Sequence, residues 1–123
     1  MSSGTGPAAD PGGPGPTAIT RAGAAHAGAV GRLLHAFNTE FSTPTPTAEE
    51  FTTRFARLLE RDDVLVLLAG DPGDPVGFAY LTLRPSAYTD GPLMQLEELY
   101  VVPARRGTGV GTALVRELLR RAR

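Results

Sequence analysis

The chain has 123 residues, 41% of them hydrophobic, which is enough for one packed domain and too few for two ordinary ones. A net charge of −1 gives no sign of a polyanionic partner such as nucleic acid, or of an anionic membrane surface, so the expected partner is small. The absence of cysteine excludes disulfides, a thiolate nucleophile and a cysteine-ligated metal, and makes a cytoplasmic setting the default; all twelve basic residues are arginine, which also excludes a lysine-dependent phosphate loop.

Residues 1–16 are nearly all Gly, Pro, Ala, Ser and Thr, a composition that cannot bury enough apolar area to offset the entropy of ordering, and they read as a disordered tail. That stretch lacks the apolar run of a signal peptide, and no window in the chain approaches the ~20 apolar residues that span a bilayer. A short strand is predicted over 17–21. It is followed by an amphipathic helix in which Ala27, Val30, Leu34 and Phe37 recur at helical spacing. Pro44 and Pro46 break the chain. Thr47-Ala48-Glu49-Glu50 then has the spacing of a capping box and opens a second helix with Phe51, Phe55, Leu58 and Leu59 on its inner face.

The continuous apolar run over 64–69, the turn Gly70-Asp71-Pro72-Gly73-Asp74-Pro75 and the segment 76–84 read as a hairpin. A loop with Pro85, Asp90, Gly91 and Pro92 leads to a further strand over 93–102, then to Pro103 and a glycine-rich turn. The last helix carries Val110, Leu114, Val115, Leu118 and Leu119 as one stripe, with Glu117 and Arg121 able to pair on the outside. The order β-α-α-β-β-β-α predicts an α/β fold with helices covering a mainly antiparallel sheet. The final helix reaches Arg123 without a glycine or proline stop, so the chain reads as cut short.

The chemically informative stretch is Leu96-Glu97-Glu98-Leu99-Tyr100-Val101-Val102-Pro103-Ala104-Arg105-Arg106-Gly107-Thr108-Gly109-Val110-Gly111-Thr112. It runs strand, turn, helix. Glycines at 107, 109 and 111 clear side chains from a backbone that a ligand must approach, and the unpaired amides of the first helical turn, aided by the helix dipole, favour an anion such as a pyrophosphate. Arg106 could assist a phosphate or pin the loop to neighbouring carbonyls. A purely structural glycine turn is the competing reading. The dinucleotide fingerprint Gly-x-Gly-x-x-Gly does not fit, because Thr112 takes the place of its third glycine and no acidic residue follows about 20 positions later.

At these residues the sequence resembles the GNAT superfamily of N-acetyltransferases, whose motif is Gln/Arg-x-x-Gly-x-Gly/Ala after the fourth strand; Arg106, Gly109 and Gly111 match it. The resemblance implies that the turn from Arg106 through Gly107, Thr108, Gly109, Val110 and Gly111 to Thr112 binds the pyrophosphate of acetyl-CoA as co-substrate. It also implies that Leu99, Tyr100 and Val101 receive the pantetheine arm like an added strand. No metal is implied. The acceptor would be a primary amine on a small molecule or peptide.

Transfer to an amine requires a base, and Glu97 is the candidate. Strand alternation places Glu97, Leu99 and Val101 on one face and Glu98 on the other, and the superfamily's polyamine acetyltransferases resemble the sequence here, with a strand glutamate at the position of Glu97 acting through water. A solvated or arginine-paired carboxylate is the plainer alternative for either glutamate. His26 and His35 read as surface histidines on the first helix. Asn38, Glu40 and Phe41 read as part of the connection between the first two helices, which in the superfamily helps to wall the acceptor site. Tyr88 and Asp90 read as turn residues, and Arg116, Arg120, Arg121 and Arg123 as a solvated helix face.

Superfamily members continue with a fifth strand, a fourth helix and a hairpin, and commonly draw a tyrosine general acid from that later part. The resemblance therefore implies an incomplete domain over 17–123, with the fourth strand left as an open edge that could pair with a second copy. Two further readings stay open: a catalytically inactive coenzyme A-binding module, and an interaction fragment.

Overall fold

The computed structural model describes residues 17–122. The segment expected to form a disordered tail, residues 1–16, lies outside the described residues, as does Arg123. Strand β1 spans Ile19–Arg21, helix α1 Ala27–Glu40, α2 Ala48–Leu58, strands β2 Val64–Ala69, β3 Gly77–Arg84 and β4 Leu93–Val101, and helix α3 Val110–Arg121. The predicted order is observed.

The four strands form one sheet in the order β1-β2-β3-β4, with every neighbouring pair antiparallel. On one face α1 and α2 pack through Val30, Leu34, Phe51 and Phe55 onto Val66, Leu68, Phe78 and Tyr100. On the other, α3 lays Val110 and Leu114 onto Leu65, Leu67, Ala79 and Leu81. Strand β2 is covered on both faces and all six of its residues are buried, which is why its sequence is an unbroken apolar run. Each large apolar side chain sealed this way stabilises the fold by about 1.5–3 kcal/mol relative to exposure.

The capping box forms as the spacing requires. Glu50 N donates to Thr47 Oγ1 at 3.0 Å, and Thr47 N donates to Glu50 Oε1 at 2.8 Å. Helix α1 runs further than expected: Asn38 and Glu40 are its last turn, not part of the connection, and Phe41 caps it.

Two features position the site. At the start of β3, a Cβ on Gly77 would lie 2.9 Å from Tyr100 O, 3.2 Å from Val110 Cγ1 and 3.4 Å from Leu114 Cδ1, so the missing side chain is what lets the first turn of α3 sit against the sheet. Strand β4 lies at the edge of the sheet, with β3 as its one partner among the described residues.

Candidate active site

The chain leaves β4 at Val101, makes a short 3-10 turn over Pro103–Arg105 and enters α3 at Val110. Gly107 (φ +78°) and Gly109 (φ +93°) both take the left-handed conformation that costs other residues most, and Gly109 is the N-cap of α3. No side chain caps this helix. Its first amide to bond back is that of Ala113, to Gly109 O at 3.0 Å. Among the described residues, the backbone N–H groups of Gly107, Thr108, Gly109, Val110, Gly111 and Thr112 donate to no protein acceptor. A Cβ built on Gly107 or Gly109 meets nothing within 4 Å, so the corner is open. Unpaired donors at the positive end of a twelve-residue helix, accessible from outside, fit the oxygens of a diphosphate.

Arg106 is engaged by the protein itself. Its Nη1 donates to Glu40 Oε2 at 2.6 Å, Nη2 to Glu40 Oε1 at 2.8 Å, and Nε to Val101 O at 2.9 Å. The guanidinium carbon lies 5.5 Å from the centroid of the Tyr100 ring, and the Tyr100 hydroxyl donates to Glu40 Oε1 at 3.0 Å. Of the two roles open to Arg106 from the sequence, pinning the loop is the one these contacts display. The two-pronged contact from Arg106 holds the Glu40 carboxyl below its ordinary value against the opposing effect of burial. Burial, then Glu40, pushes the Tyr100 hydroxyl up. The side chain of Tyr100 points into the α1/α2 core, so only its backbone remains on the edge beside Leu99 and Val101.

The expected alternation fails at Glu97. Tyr80 pairs with Glu98 but Leu81 with Leu96, so Glu97 is the extra residue of a β-bulge. Met94 packs toward α3 and Leu96 lies opposite Leu81, whereas Tyr100, also an even-numbered residue, packs toward α1 and α2: the phase of the strand reverses at the bulge. Glu97 therefore does not share a face with Leu99 and Val101. Its Oε2 accepts the Thr82 hydroxyl proton at 2.6 Å, on the face that also carries Tyr80 and Phe78. Nor does Glu98 point the other way; it sits opposite Tyr80, and the two carboxylates are neighbours on the helix-pair face. Burial and then the Glu97 charge raise the Glu98 carboxyl above its ordinary value. Burial raises the Tyr80 hydroxyl, and the charges of Glu97, Asp63 and Glu98 add to it.

Most of the remaining candidates have structural partners. The ring of His26 accepts from Gly23 N at 3.0 Å, and His35 Nδ1 lies 3.1 Å from Pro46 O. Asn38 donates to Thr45 Oγ1 at 3.2 Å. Tyr88 is in the β3–β4 loop and fully exposed. Glu117 holds both Arg120 and Arg121, and Arg120 first among them lowers its carboxyl to about 2. An open cleft of about 530 Å³ lies at the far end of the β3–β4 hairpin, lined in part by Asp62, Asp63, Arg84 and Asp90, and includes none of the predicted site residues. Among the described residues no group of three or more His, Asp or Glu could hold a metal, and no helix is long and apolar enough to cross a membrane.

A sheet covered by helices on both faces, with an open-amide turn between its edge strand and a helix, is the arrangement expected of an acetyltransferase of the resembled superfamily. The model of the Acetyltransferase (GNAT) family matches residues 30–123, and the chain belongs to this family. It is 35% identical over 79 residues to the aminoglycoside N(6')-acetyltransferase type 1 of Klebsiella aerogenes, an alignment covering 59% of this chain and 52% of that protein. The chain thus spans about half the length of that relative. Among solved structures it resembles a protein of Arthrobacter sp. FB24 provisionally assigned as an acetyltransferase, with 46% identity, a TM-score of 0.76, and coverage of 86% of this chain and 68% of that one. The ribosomal-protein-alanine N-acetyltransferase of Brucella melitensis biovar Abortus 2308 shares the fold at 24% identity and a TM-score of 0.68, over 86% and 70% of the two chains.

Proposed function

We propose that the chain carries the donor site of an N-acetyltransferase that moves an acetyl group from acetyl-CoA to a primary amine by direct attack. The observation that carries this reading is the set of free backbone donors from Gly107 to Thr112 at the open start of α3. Those amides bind the pyrophosphate, Arg106 holds the turn, and the free edge of β4 at Leu99, Tyr100 and Val101 pairs with the pantetheine amides as a further strand would. Acetyl-CoA supplies an acyl group activated as a thioester.

The chain's own task is to bind the amine and take its proton. Glu97 accepts, through water, the proton that the acceptor's ammonium must shed before its nitrogen can attack the acyl carbon; the new N–C bond replaces the C–S bond, and the departing thiolate takes up a proton. Glu97 and Glu98 together place negative charge on one face, which favours a cationic acceptor. The aminoglycoside acetyltransferase relative supports an amino sugar or another small polyamine as acceptor.

Calorimetry with acetyl-CoA tests the donor site. Binding by the native chain, weakened in an Arg106→Ala, Gly109→Val double variant, is expected; equal affinity in both refutes the phosphate assignment. Release of coenzyme A thiol across a panel of amines tests turnover. Binding without turnover would leave the chain as a coenzyme A-binding module.

A further inference from the structure

We propose that Glu40, at the C-terminal end of α1, is a positioning residue that grips Arg106 and so holds the β4–α3 turn in the shape that receives the pyrophosphate. This rests on the donor-site reading above.

The turn has little else to fix it. Gly107 and Gly109 adopt positive φ, their surroundings are open, and residues 107–109 are exposed. Within the turn the Thr108 hydroxyl donates to Arg105 O, and Arg105 N and Arg106 N donate to Val102 O and Pro103 O. Glycines at such positions give the unliganded backbone many alternatives, and ordering them on ligand binding costs entropy unless something has already restricted them.

Arg106 supplies the restriction, because it directly precedes Gly107 and makes contacts in two directions. Its Nε anchors to Val101 O at the end of β4. Its two Nη atoms reach 66 residues back along the chain to both oxygens of Glu40. The Tyr100 hydroxyl donates to the same carboxylate, and the Tyr100 ring, packed at 5.2 Å against Phe37 of α1, lies beside the guanidinium. Strand end, turn and helix end are thereby joined at one carboxylate.

The sign of the Glu40 effect separates bracing from direct phosphate contact. Glu40 brings a negative charge next to an anion site and occupies the face of the guanidinium that a phosphate would use. Were Arg106 a phosphate ligand, removing Glu40 would free it and tighten coenzyme A binding. Under the bracing role, removing Glu40 loosens the turn and weakens binding.

The test is calorimetry of the full chain with coenzyme A, comparing the native protein with Glu40→Gln, which keeps the shape and loses the charge. The expected result is affinity lower by about fivefold, in keeping with a partly exposed ion pair. Backbone amide order parameters at Gly107 and Gly109 should fall in the same variant. Glu49→Gln removes the same charge from the start of α2, away from the turn, and should leave affinity unchanged. A Glu40→Arg, Arg106→Glu double variant should recover part of the loss. Unchanged or tighter binding by Glu40→Gln, with the native chain binding coenzyme A, overturns the bracing role and leaves the donor-site reading intact. A native chain that binds no coenzyme A overturns both.

Discussion

The Thr82 hydroxyl donates to Glu97 Oε2 at 2.6 Å, across a strand pair whose register slips between Tyr80 and Leu81. A regular strand would turn neighbouring carboxylates to opposite faces; the bulge instead sets Glu97 and Glu98 side by side, one hydrogen-bonded to Thr82 and the other half-buried opposite Tyr80. Two acidic groups with different surroundings then meet whatever occupies that face.

Glu97→Gln should lower kcat by about a hundredfold or more, the usual contribution of a positioned base, while KM for acetyl-CoA stays close to native. Thr82→Val should give a smaller fall in kcat, because it leaves the carboxylate but frees its orientation. Steady-state kinetics with an amino-sugar acceptor checks both, and an unaltered kcat in Glu97→Gln would remove the glutamate from the mechanism.

Glu98 and Glu117 should give the stability–pH curve opposite slopes in different ranges. Burial, then Glu97, raises Glu98 in the folded chain, so its favourable contribution is present below the ordinary value of 4.5 and is lost as pH rises through the raised folded value. Glu98→Gln should therefore raise Tm more at neutral pH than at about pH 4. Glu117, held at about 2 chiefly by Arg120, contributes above 4.5 and loses that contribution as pH falls toward about 2. Melting curves across pH that superimpose for native and Glu98→Gln protein would contradict the first statement.

Gly109→Ala should destabilise the fold by about 1–2 kcal/mol, the cost of a left-handed backbone at a residue with a Cβ. The added methyl meets nothing within 4 Å, so the cost is conformational, not steric. Chemical denaturation measures it, and a variant as stable as the native chain would mean that the turn relaxes to another shape.

Gly77→Ala should cost about 1–3 kcal/mol, the range for overpacking, by pressing a methyl against Tyr100 O, Val110 and Leu114. The Tyr100 carbonyl is backbone and cannot rotate away as the Val110 and Leu114 side chains can, so the end of β4 must shift and carry the β4–α3 turn with it. A loss of coenzyme A affinity together with the loss of stability is expected; normal affinity would show that the turn is insulated from the end of β4.

Much of the architecture could be read from local pattern. The apolar run of β2, the capping box of α2 and the start of α3 at Val110 fall where composition and spacing place them, because each depends on residues within a few positions of one another. The glycine turn between β4 and α3 was legible for the same reason: glycines, strand end and helix start are contiguous, and only the freedom of its amides needed coordinates. The bulge was not. No glycine or proline marks Glu97, and the slip exists only in the register against β3. Gly77 gave no signal either, since its importance comes from Tyr100, Val110 and Leu114, which approach it from other elements.

The amino-acid order alone determined which segments become strands and helices, and that a run of open amides follows the fourth strand, because backbone propensity and hydrophobic period act over one or two turns. Packing decided what meets what: Glu40 comes to Arg106 only when α1 lies across the sheet beside the end of β4, and both glutamates share a face only when β4 pairs with β3 out of step. Contacts between distant positions depend on how whole elements seat against one another, and a pattern confined to neighbouring residues does not encode them.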